Sequence, residues 1–102
     1  NDQKLTQAQR IFEDVLKNNN TDSEALKYAG ITALRLKDYD KAIGYFKNLA
    51  SQKSLFANPG KFYQALALLQ KSTKNKAEAD VLLKEVIDNN LEGKEEALKI
   101  VE

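Results

Sequence analysis

Asn18, Asn20 and Asp22 put side-chain oxygens at alternating positions, as the start of a calcium-binding loop does. Such a loop needs glycine at its sixth position and a bidentate glutamate at its twelfth. Those places hold Ser23 and Ala29, so the stretch reads as a helix–helix linker. The carboxylates show no pairing suited to acid–base work. Glu13, Asp80 and Glu95 each have a lysine one helical turn on (Lys17, Lys84, Lys99), the pattern of solvated surface pairs. Lys71, Lys74 and Lys76 form a local basic cluster that could touch a phosphate; a solvated turn is the plainer reading. The four serines have no histidine to activate them. His and Cys are both absent, which removes imidazole and thiol catalysis, disulfides and His/Cys metal sites together. No glycine-rich phosphate cradle occurs. The expectation is a chain with no catalytic residue, no cofactor and no metal.

What the sequence does carry is architecture. The 102 residues are 42% hydrophobic and 30% charged, enough apolar material for a packed core. A net charge of +1 argues against a nucleic-acid partner. No apolar run approaches the ~18 residues of a membrane span, so no direct membrane insertion is expected. The chain starts at Asn1 rather than Met, which suggests a processed or excised piece. Lysine and asparagine are abundant, a weak hint of a bacterial source.

Gly and Pro are scarce, and apolar residues recur at helical spacing. This predicts six helices, near 4–18, 22–36, 39–53, 59–72, 76–89 and 93–102. Thr21 with Glu24 reads as a capping box, and Asn75 with Glu78 as its asparagine version. Asp38 can cap the third helix. Asn58 before Pro59 reads as an N-cap and first helical residue. Asn18–Asn20 and Asn89–Asn90 read as stops.

The helices repeat. Ala8, Phe12 and Val15 recur 34 residues later as Ala42, Phe46 and Leu49, and 37 further on as Ala79, Leu83 and Val86. In the other helix type, Leu26, Ala29 and Gly30 are matched with Tyr63, Leu66 and Ala67, then with Ala97, Ile100 and Val101. Small residues at Gly30/Ala67 and Ala42/Ala79 would let helices cross closely. The three-residue insertion is placed in 51–60, where Leu55 and Phe56 are expected to fold back over the helix junction.

On these residues the chain resembles the tetratricopeptide repeat family. Residues 23–50 look like one complete repeat: Leu26 at the family's Trp position, Ala29-Gly30 at its Leu-Gly pair, Ala33 at its Tyr, Asp38–Ala42 at its turn and Phe46 at its second-helix aromatic. Residues 60–87 look like a weaker copy, with Lys76 in place of the turn Tyr. The resemblance implies an all-α fold, helix hairpins stacked as a short right-handed solenoid. It implies a single domain with 4–18 as the second helix of a partial repeat, 22–53 and 59–89 as repeats, and 93–102 as a terminal helix.

It also implies a non-catalytic module that binds a peptide or protein segment on its concave helix face. The residues expected there are Lys27, Tyr28, Ile31, Leu34 and Arg35, then Gln64, Ala65, Leu68, Lys71 and Ser72. Ile31 and Ala65 stand where a carboxylate clamp would need Asn, so no clamp is expected. The other reading is a spacer or oligomerisation segment of a longer bacterial protein, since similar repeat regions occur in membrane-anchored ones. Apolar residues at both ends, Ile11, Phe12 and Val15 and then Leu98, Ile100 and Val101, lead to an expectation of weak self-association.

Overall fold

The computed structural model describes residues 2–53, 55 and 57–101. It contains six α-helices and, among the described residues, no strand: α1 (Asp2–Asn18), α2 (Ser23–Arg35), α3 (Tyr39–Ala50), α4 (Gly60–Lys71), α5 (Lys76–Asp88) and α6 (Lys94–Val101). Each helix packs on the next in sequence, α1 on α2 through to α5 on α6. The shape measures 37 × 30 × 18 Å. The thin dimension is about two helix diameters of ~10 Å, so the helices lie in two layers.

The boundaries follow the sequence signals, with some donors and acceptors exchanged. The cap of α2 is Asp22 rather than Thr21: Asp22 Oδ1 accepts from the Ala25 N–H at 3.0 Å. The Thr21 hydroxyl instead donates to Asn19 Oδ1 at 3.0 Å. Asp38 caps α3 as expected, accepting from Lys41 N–H. α2 ends in a left-handed Lys37 (φ 63°), whose N–H reaches Leu34 O while Asp38 N–H reaches Ala33 O. α5 ends the same way at Asn90 (φ 54°), with Leu91 N–H on Val86 O. Asparagine tolerates that conformation, which is why the Asn89–Asn90 stop was legible.

Asn58 stands one residue before the N-cap position of α4, which Pro59 holds, rather than at it. It is buried, accepts from Gly60 N–H at 2.7 Å, and donates to Leu49 O at 2.7 Å and Gln52 O at 2.9 Å. Gln52 Nε2 donates to Thr21 O at 2.7 Å, and Glu92 N–H donates to Ala57 O at 3.2 Å. The three linkers that join one hairpin to the next are thus tied along one edge. Leu55 is half-buried in this edge; Phe56 lies outside the described residues.

The second-helix register is as read from the sequence. Ala42, Phe46, Ala79, Leu83 and Val86 are 0% exposed and Leu49 is 1%. The first-helix register is not. Four of the six buried positions of α2, Ala25, Gly30, Thr32 and Ala33, correspond to the four buried positions of α4, Gly60, Ala65, Ala67 and Leu68, a shift of 35 residues rather than 37. Two ring stacks mark the same shift: Tyr28 on Phe12 (5.8 Å between centroids) and Tyr63 on Phe46 (5.1 Å). One inserted residue therefore lies between α3 and α4. The other two lie between α4 and α5, where Thr73–Asn75 form a 3₁₀ turn. In that turn Asn75 does not cap α5; its Nδ2 donates to Leu68 O at 3.0 Å.

The crossing of α2 and α3 depends on Gly30. A Cβ there would lie 2.7 Å from Cδ1 and Cζ of Phe46 and closer still to Cε1. Ala65, its counterpart, packs in a cluster with Leu83, the counterpart of Phe46.

Candidate functional site

The register explains where the expected binding residues lie. Lys27 is half-buried, Tyr28 is 45% exposed and Arg35 is exposed. Ile31 and Leu34 are half-buried against the cluster of Ala33, Ala42, Phe46 and Ala67, so their outer edges alone face solvent. These five residues come from one helix and stay together. Their expected partners on α4 do not join them as a set. Leu68 is 6% exposed and Ala65 is 0%, both in the core with Ala79, Leu83, Val86 and Ala97. The physical reason is the two-residue shift: Leu68 corresponds to buried Ala33, not to Ile31. Gln64 and Ser72 are half-buried. Lys71 is exposed but engaged, its Nζ 2.6 Å from Asp40 Oδ1 on α3. With the shift of 35, the α4 counterparts of Ile31, Leu34 and Arg35 are Leu66, Leu69 and Gln70, two half-buried leucines and an exposed amide. The Tyr28–Tyr63 echo was the signal that could have found them.

The other polar groups named from sequence are used structurally. Glu13 turns away from Lys17 and bridges to α3, where Lys41 Nζ (3.1 Å) and the Tyr45 hydroxyl (3.0 Å) both donate to its Oε2. Partial burial pulls the Glu13 carboxyl up, but the Lys41 and Tyr45 hydrogen bonds and the nearby lysine charges outweigh it and hold it below the usual range. Tyr45 is pushed up to about 12, by burial first and then by the hydrogen bond and charge of Glu13. Asp80 pairs with Lys76 at 2.7 Å rather than with Lys84. With Lys71 and Lys76 both in ion pairs, the basic cluster offers no concentrated anion site. In the Asn18–Asp22 stretch, Asn19 Oδ1 serves the turn and Asp22 Oδ1 the α2 cap.

A cleft that sequence reasoning did not assemble lies between α1 and α2. Phe12, Val15, Ala25 and Tyr28 line it, Asp22 and Glu24 form an acidic rim, and its volume is about 410 Å³. Lys27 Nζ stands 5.6 Å from the Tyr28 ring centroid. A second hollow of about 190 Å³ meets it along α2, between Ser23, Glu24 and Lys27 on one side and Leu49, Leu55, Pro59 and Glu92 on the other. The first cleft's apolar walls and charged rim can hold an apolar side chain or small apolar group against the Tyr28 ring, which is stacked on Phe12. Among the described residues no helix is long and apolar enough to cross a membrane. Comparison with protein-family models, curated proteins and solved structures finds no match to this chain.

Proposed function

We propose that the chain is a non-catalytic protein-interaction segment built on the tetratricopeptide pattern, its hairpins winding as a short right-handed solenoid. On this reading it binds a peptide or protein segment along the exposed side of α2. The observation that carries the reading is Tyr28. Its ring is fixed by Phe12 on one side and approached by Lys27, yet it remains 45% exposed beside an apolar cleft. A rigid aromatic anchor next to cationic and aliphatic groups loses little entropy on binding, which is why such residues dominate interfaces. Lys27, Ile31, Leu34 and Arg35 extend the contact along the helix. Support for the repeat pattern comes from Ala42/Ala79 and Phe46/Leu83, buried at matched positions 37 residues apart.

The test is selection of peptides from a displayed random library on the purified chain. Enriched sequences should bind the wild type, and Tyr28→Ala and Arg35→Glu should each weaken them at least tenfold. Enrichment insensitive to both substitutions would reject this face. A second reading, a spacer or oligomerisation segment of a longer bacterial protein, draws on Leu98 (41% exposed) and Val101 (40% exposed) at the far edge. It expects a concentration-dependent sedimentation coefficient that Leu98→Glu abolishes.

A further inference from the structure

A third hollow lies between α4 and α6. Phe62 and Tyr63 of α4 form one wall; Glu92 and Gly93 of the α5–α6 linker and Glu96 in the first turn of α6 form the other. Its volume is about 270 Å³. Pockets that hold a whole small molecule start at ~300 Å³, so this one is sized for a single side chain. The exposed apolar residues of α6, Leu98 and Val101, take no part in it. Its walls are internal segments of the chain, not the open side of an end helix.

The aromatic wall is fixed from within. Tyr63 is stacked on Phe46, and Phe62 meets Tyr63 at 60° with centroids 5.8 Å apart. Gly93 closes on the Phe62 ring in a left-handed conformation (φ 98°), and a Cβ there would stand 2.7 Å from Phe62 Cδ1. The charge on the rim is uncompensated. Glu13, Asp40 and Glu85 each reach a lysine on another helix, Lys41, Lys71 and Lys61. Among the described residues, the Glu92 and Glu96 carboxylates have no hydrogen-bond or ion-pair partner. Their two full negative charges exceed the roughly half positive charge of the α6 N-terminus. Aromatic faces beside unpaired carboxylates complement a cation. A planar guanidinium serves both, stacking on a ring while it donates to carboxylates. Glu92 also borders the hollow along α2, so the two cavities adjoin.

We propose that this pocket takes an arginine side chain of the protein partner, its guanidinium against the Phe62–Tyr63 wall and held by Glu92 and Glu96. A segment lying along α2 reaches it past Glu92. The inference rests on the interaction-module reading, but no residue of the pocket belongs to α2.

The probe is the capped tripeptide acetyl-Gly-Arg-Gly-amide, titrated into the ¹⁵N-labelled chain and followed by ¹H–¹⁵N correlation spectra. Saturable binding in the millimolar range is expected, with shifts centred on Phe62, Tyr63, Gly93 and Glu96. The citrulline tripeptide, of the same shape but uncharged, should bind at least tenfold more weakly, and the lysine tripeptide at least threefold more weakly. Glu92→Gln and Glu96→Gln should each weaken arginine binding at least threefold. Glu95→Gln, on the same turn but outside the pocket, should leave it unchanged. Arginine binding no tighter than that of citrulline or lysine, shifts centred elsewhere, or no saturable shift overturns the proposal. Library peptides that lose affinity with Tyr28→Ala but ignore Glu96→Gln also overturn it and leave the α2 reading standing. The tripeptide reads the pocket whether or not α2 holds a segment, so the two failures are distinguishable.

Discussion

Replacing Gly30 with alanine inverts an ordinary rule. In a helix interior, Gly→Ala stabilises by about 0.5–1 kcal/mol, because alanine loses less backbone entropy on folding. At Gly30 the added Cβ would stand 2.7 Å from Cδ1 and Cζ of Phe46, well inside van der Waals contact. Phe46 is 0% exposed and stacked on Tyr63, so its ring cannot swing into solvent. Either the ring leaves its rotamer or α2 and α3 separate, and overpacking of this kind costs about 1–3 kcal/mol. The overpacking outweighs the entropy gain, and Gly30→Ala should destabilise by about 1–2 kcal/mol. At ~4–8 °C per kcal/mol for a domain this size, the melting temperature should drop by roughly 5–15 °C. Gly44→Ala is the internal comparison: it lies in α3 with nothing within 4 Å of its Cβ position and should stabilise by about 0.5–1 kcal/mol. Urea titrations followed by circular dichroism at ~222 nm, with linear extrapolation, measure both. Adding Phe46→Leu to Gly30→Ala should recover part of the loss, giving a favourable coupling in the double-mutant cycle. A Gly30→Ala protein as stable as wild type would refute the close α2–α3 crossing and the repeat register built on it.

Three further outcomes follow from single side chains. Asn58→Ala should cost about 1–3 kcal/mol by leaving the buried Gly60 N–H without its acceptor, and should speed hydrogen exchange at Gly60. Gln9 is 6% exposed and its Oε1 has no partner among the described residues, while its α3 counterpart is Ile43; Gln9→Ile should therefore stabilise by about 1 kcal/mol in the same urea assay. Folded Tyr45 keeps its proton to about 12, above the ordinary value of 10.0, so the stability it contributes is intact below about pH 10 and lost as pH rises to about 12. An ultraviolet phenolate titration should show a late-ionising step that Tyr45→Phe removes.

The helices were legible because each has an amphipathic stripe bounded by recognisable caps and stops. The second-helix register was legible because Ala8/Ala42/Ala79 and Phe12/Phe46/Leu83 pair a small residue with a large one four positions on. The first-helix register was not. α4, GKFYQALALLQK, carries apolar residues around most of its circumference, so periodicity alone accepts a shift of 35 or 37. Packing decides between them: Ala65 fits against Leu83, and Tyr63 reaches Phe46 only in the shorter register. The misplacement put Leu68 on the expected binding face and left Leu66 and Leu69 off it. The exchange of Thr21 for Asp22 as cap is subtler, since adjacent residues were both competent and Asn19 captured the threonine hydroxyl. The α1–α2 cleft was invisible for a different reason. Phe12 and Val15 were legible as an apolar open end, but nothing in their spacing sets Tyr28 beside them to form a cleft.

We propose that the exposed side of α2 binds a protein segment. A ¹H–¹⁵N correlation spectrum of the labelled chain, titrated with a peptide selected from the displayed library, tests it most directly. Shifts should concentrate at Lys27, Tyr28, Ile31, Leu34 and Arg35, with the buried amides of Ala79, Leu83 and Val86 unmoved. Shifts spread evenly through the core, or confined to residues away from α2, would contradict the account.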